Sequence, residues 1–122
     1  MGPENELKKR WVKTLPEHYA RWFSVRLGEI HDKEFARIKN VMLRYADLIY
    51  LGGEIIHIVE FKIKPDPKAI GQLLAYKQEF GRTVEFEPYW NNKVNLILLT
   101  TMHDRVVEEL AEKENIIYII YK

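Results

Sequence analysis

The chain has 122 residues, 47% of them hydrophobic and 30% charged, with a formal net charge of +1. One domain spanning 1–122 fits that length, and the near-neutral balance argues against disorder driven by charge. The absence of cysteine excludes a disulfide framework, thiolate catalysis and cysteine-ligated metal.

No apolar run approaches the ~20 residues that cross a bilayer, and MGPENELKKRW lacks the apolar stretch of a signal peptide. The expectation is a soluble, intracellular (cytoplasmic) domain without membrane contact. Charge is uneven along it. Residues 1–44 carry 10 Lys and Arg against 6 Asp and Glu, a surplus of +4, while the C-terminal third is acidic. This basic N-terminal third, with Lys8, Lys9 and Arg10 in it and Trp11, Tyr19, Trp22 and Phe23 interleaved along it, is a candidate phosphate-binding surface; a solvated helix face explains it equally well.

In chain order, residues 4–13 read as a helix broken at Thr14-Leu15-Pro16. Thr14 to Glu17 matches a capping box with proline in the first turn, which predicts a second helix to about Phe23. Residues 24–40 are ambiguous: Ser24–Leu27 suits a short strand and Lys33–Lys39 a helix or turn. Val41–Leu51 and Glu54–Ile63 read as strands joined by a Gly52-Gly53 turn. Both are apolar on two faces in places, as in a sheet interior. Pro65-Asp66-Pro67 interrupts the chain, Lys68–Phe80 reads as a helix stopped by Gly81, and 82–93 as a loop or short element. Val94–Thr100 is a strand, Asp104–Lys113 a helix capped by Asp104, and Ile116–Tyr121 a last strand. The order predicts an α/β fold, a central mixed sheet flanked by helices.

Three charged residues interrupt the apolar hairpin. Asp47 lies within Tyr45-Ala46-Asp47-Leu48-Ile49-Tyr50. Thirteen positions on, Ile58-Val59-Glu60-Phe61-Lys62-Ile63 sets Glu60 and Lys62 on one face, because strand side chains alternate. Folding the hairpin brings Asp47 toward Glu60, in a manner that depends on register. Two carboxylates in a dry setting repel until one is protonated or both share a cation, and a hard divalent ion suits oxygen ligands. The plain alternative is a buried acid–lysine ion pair.

Ala46-Asp47, the thirteen-residue spacing and Glu60-Phe61-Lys62 resemble the PD-(D/E)xK nuclease superfamily. Gln72-Leu73-Leu74-Ala75-Tyr76 on the following helix is similar to the Gln-xxx-Tyr element of its RecB-like branch, which includes enzymes like the archaeal Holliday-junction resolvases. The match covers about 40–80, with alanine at the motif's proline. The resemblance implies a restriction-endonuclease-like core and Mg²⁺-dependent hydrolysis of DNA phosphodiesters. It implies that Asp47, Glu60 and the Phe61 carbonyl hold Mg²⁺, or Mn²⁺ in its place. Lys62 then orients water and stabilises developing charge, and Gln72 hydrogen-bonds water or phosphate. Tyr76 is expected to pack, and Lys64 and Lys68 flank the site. The family's acidic residue on the first helix is open among Glu6, Glu17 and Glu29.

His18, His31, His57 and His103 have no zinc-ligand spacing, and no glycine-rich loop suggests an organic cofactor. Trp11, Trp22 and Trp90 are expected in packing. The alternative to a nuclease is a nucleic-acid-binding or assembly module of the same fold without catalysis. A homodimer would give two catalytic domains for two strands, with Ile116–Tyr121 as core or interface.

Overall fold

The computed structural model describes residues 2–28 and 44–122. Helix α1 (Pro3–Val12) is followed by strand β1 (Ala20–Leu27), then by the hairpin of β2 (Arg44–Gly52) and β3 (Ile55–Lys62). Helix α2 (Pro67–Phe80), a 3₁₀ turn (Val84–Tyr89), β4 (Val94–Thr100), α3 (Arg105–Lys113) and β5 (Ile116–Ile120) complete the chain. The strands form one mixed sheet in the order β1-β2-β3-β4-β5. β2 is antiparallel to both of its neighbours, β1 and β3, and β4 and β5 continue parallel to β3. Among the described residues no helix is long and apolar enough to cross a membrane.

Each face of the sheet has its own core, because β2, β3 and β4 are apolar on both sides. One face buries Ile49, Ile58 and Leu98 against Ile70, Leu73, Tyr76 and Phe80 of α2, Phe86 of the 3₁₀ turn and Val107 of α3. The other buries Leu48, Tyr50, Val59 and Phe61 under Leu7 and Trp11 of α1. Trp11 meets Tyr50 and Phe61 at ring separations of 6.0 and 5.9 Å. Asp66 caps α2 by accepting from the Lys68 amide, and Asp104 caps α3 by accepting from that of Val107.

Two sequence expectations need correction. The helix expected from Thr14 to Phe23 is instead a turn leading into β1. The Thr14 hydroxyl reaches back to the Trp11 carbonyl, closing α1 rather than starting a new helix. The side chain of Arg21 holds the Pro16 and Tyr19 carbonyls across the turn. The hairpin turn is also one residue later than expected: Gly52 pairs with Ile55, leaving Gly53 and Glu54 as the turn. Their φ values of 60° and 65° suit a primed two-residue turn, which matches strand twist. Gly52 stays in the strand because the Tyr19 ring covers it; a Cβ there would lie 2.7 Å from that ring. The expected element at Lys33–Lys39 and residues 41–43 of the expected strand lie outside the described residues.

Candidate active site

The hairpin register decides which side chains meet. Leu48 pairs with Val59, and one further step of that pairing sets Asp47 beside Glu60. A turn at Gly52-Gly53 would have set Asp47 beside Ile58 instead. At this point the ladder gives way to side-chain bonding: Asp47 Oδ2 accepts from the Phe61 amide at 2.9 Å. The β1 side is interrupted at the same place. Ser24 has a φ of 49° and drops out between the Phe23–Leu48 and Val25–Ala46 pairs. A positive φ is unfavourable for serine, and such irregularities re-aim side chains within a sheet. Asp47 thus sits where pairing lapses on both flanks of β2.

Glu60 is 5% exposed, and its Oε1 has no hydrogen-bond partner. The other oxygen, Oε2, lies 3.9 Å from Lys62 Nζ, a loose contact with a half-buried lysine. Burial first, and then the charge and close approach of Asp47, push the Glu60 acid up from 4.5 to about 8. Lys62 opposes that rise and Glu4 adds slightly to it. The arrangement is therefore a carboxyl pair that a single lysine does not neutralise.

A cleft of about 190 Å³ opens at Asp47, lined by Asp47 and Phe61 on the sheet and by Glu4, Asn5 and Lys8 on α1; Glu60 is not among its lining residues. Glu4 is not among the acids that the sequence singles out on the first helix. Glu6 is exposed and absent from the cleft, Glu17 lies in the turn after α1, and Glu29 is outside the described residues. The overlooked signal is helical spacing: Lys8 follows Glu4 by four residues, and Glu4 stands three residues before Leu7, which α1 buries. Of the three basic residues marked for phosphate, Lys8 lines the cleft, whereas the Arg10 guanidinium lies 5.8 Å over the Tyr121 ring.

Gln72 is exposed on α2, and no hydrogen bond ties it to Asp47, Glu60 or Lys62; Tyr76 is buried in the core. Lys64 and Lys68 lie beyond the end of β3. The chain leaving Lys62 is pinned there, because Thr100 and Thr101 both donate hydroxyls to the Ile63 carbonyl, at 3.0 and 2.8 Å. The described histidines serve elsewhere: His18 against Tyr19, His57 stacked on Tyr50, and His103 paired with Glu108. A larger groove, about 730 Å³, lies at the start of β4 and contains one acid, Glu114. Among the described residues no three His, Cys, Asp or Glu side chains form a metal cluster. What fits a cation is the carboxyl pair and the unpartnered Glu60 oxygen.

No protein-family model and no curated protein matches the sequence. Among solved structures, the whole chain aligns with EndoMS in its apo form, with a TM-score of 0.57 and 16% identity. The alignment covers 47% of that protein, so the chain spans about half its length. The likeness shows the fold, an α/β core with a five-stranded mixed sheet flanked by helices.

Proposed function

We propose that this domain is a metal-dependent DNA nuclease of the PD-(D/E)xK type. The observation that carries the reading is the buried Glu60 beside Asp47, with one oxygen unpartnered and a lysine two residues on. Two adjacent carboxyls inside a sheet are costly to a structural module and useful to an enzyme that must hold a cation. The fold shared with EndoMS, whose name is an endonuclease's, supports the same reading.

Asp47, Glu60 and the Phe61 carbonyl would hold Mg²⁺, with Mn²⁺ as a substitute; oxygen donors of this kind suit both ions. When bound, the ion supplies Lewis-acid stabilisation of charge on the phosphate. The Phe61 amide fixes the Asp47 carboxylate, so that this ligand is already oriented. Lys62 holds the attacking water by hydrogen bonding and stabilises the negative charge that develops on the phosphate oxygens. Gln72 reaches the scissile phosphate or water from α2 once substrate lies across the site. Lys8 meets the DNA backbone at the mouth of the cleft. A duplex presents two strands to one such cleft, and a homodimer would bring a second.

The test is cleavage of end-labelled duplexes, junctions, single strands and RNA, with and without Mg²⁺. Mg²⁺-dependent cleavage lost in Asp47→Asn and Glu60→Gln is the expected result. Metal-independent binding with no cleavage in Mg²⁺ or Mn²⁺ would make the domain a binding module instead.

A further inference from the structure

Among the described residues the sheet has two terminal strands, and they are built differently. β1 carries Arg21 and Arg26 and is kinked at Ser24, features that discourage a further strand from adding. β5 reads Ile116-Ile117-Tyr118-Ile119-Ile120 and has no charge, no proline and no positive φ. Its outer edge has no partner strand among the described residues. Ile117 is 43% exposed and Ile120 41% exposed. Strand alternation directs these two to opposite faces of the sheet. A helix docked on one face would cover one of them, whereas a strand added at the edge flanks both.

The five residues of β5 read the same in either direction. Two copies paired antiparallel about a two-fold axis at Tyr118 therefore set like against like: Ile117 opposite Ile119 of the partner subunit, and Ile116 opposite Ile120 of the partner subunit. Met102, Val106 and Leu110, at four-residue spacing along and just before α3, are exposed beside the strand that α3 packs on. With Ile117 and Ile120 they leave roughly 400 Å² of apolar side chain uncovered per protomer, about half of what each partner contributes to a standard interface. The backbone of the edge and the polar residues around it make up the remainder.

We propose that β5 is a homodimer interface, at which a second copy of this chain adds its own β5 antiparallel and joins two five-stranded sheets into one. The interface deepens the reading of a paired nuclease but rests on the strand edge, so it is tested without DNA or metal. Sedimentation of the full chain over a wide concentration range should give twice the 14.6 kDa chain mass. The Ile117→Glu/Ile120→Glu variant, altered at exposed positions, should sediment as a single chain with an unchanged circular dichroism spectrum. A wild-type chain that stays at the single mass, or a folded double variant that stays at twice that mass, overturns the proposal.

A covalent trap covers the case in which the charged variant fails to fold. The chain contains no cysteine, so introduced thiols meet no others. Paired residues of antiparallel strands have Cα atoms about 4.5–5.5 Å apart, within disulfide range. Ile117→Cys/Ile119→Cys should therefore form a reducible dimer on mild oxidation, far faster than Glu112→Cys on the exposed part of α3. Equal rates for the two variants would refute the pairing.

Discussion

Replacing Glu60 by glutamine should stabilise the metal-free protein at high pH, although it alters a buried side chain. The sign follows from the raised acid. Between 4.5 and about 8 the folded state retains a proton on Glu60 that the unfolded chain releases. The contribution of Glu60 is thus complete below 4.5 and is lost as pH rises through about 8. Above pH 8 the full linkage amounts to about 5 kcal/mol, taking about 1.36 kcal/mol for each pH unit between the two titrations. The glutamine amide must find partners of its own, so a net gain of about 1–3 kcal/mol is expected. Urea unfolding in EDTA from pH 4.5 to 8.5 measures it. The wild type should lose stability relative to Glu60→Gln across that window, with the curves converging at its acid end. A pH-independent difference between the two would refute the account of Glu60 as a strained acid.

Asp47→Ala should abolish Mg²⁺ or Mn²⁺ binding with the fold retained, and titration calorimetry showing unchanged affinity would remove Asp47 from the site. Lys62→Ala should bind DNA nearly normally in Ca²⁺ yet cleave orders of magnitude more slowly in Mg²⁺, because its contact is with charge that develops in the transition state; near-normal cleavage would return Lys62 to an ion-pair role. Charge reversal at Lys8, Lys9 and Arg10 should weaken DNA binding and reduce the log–log salt slope by about 0.9 for each phosphate no longer neutralised, with Lys8 carrying the larger share. Reversal at Lys113 and Lys122 should do little, and an unchanged slope for the N-terminal variant would move the phosphate track toward Lys64 and Lys68. Glu54→Gly relieves a positive φ of 65° and should raise stability by about 0.5–1 kcal/mol, read from the urea midpoint.

Most of the sheet is legible in the sequence because β2, β3 and β4 are apolar runs bounded by turn residues, the Pro65-Asp66-Pro67 break precedes α2, and Asp104 announces α3. β1 is obscured for a physical reason. As an edge strand covered on part of one side, it lacks clean alternation, and the Thr14–Glu17 segment carries a local helix-start signal that tertiary pairing overrides. The candidate acids stand out because charge inside an apolar strand is unusual. Their meeting does not, since Gly52-Gly53 and Gly53-Glu54 are both acceptable turns from sequence, and only the second sets Asp47 beside Glu60. Glu4 is hidden in another way. It lies far from the hairpin in sequence and joins it only because Leu7 and Trp11 dock α1 on that face of the sheet.

Phe61 ties these parts into one alignment. Its amide holds the Asp47 carboxylate, its ring packs against that of Trp11, and in the chain it stands between Glu60 and Lys62. The two walls of the cleft are held in different ways as a result. On the sheet wall Phe61 is paired with Leu99 of β4 and bonded to Asp47, whereas the helix wall is seated on the sheet through Leu7 and Trp11. Trp11 therefore shapes the cleft without lining it: trimming that ring would loosen the seat of Glu4 and Lys8 while leaving both carboxyls of the pair in place.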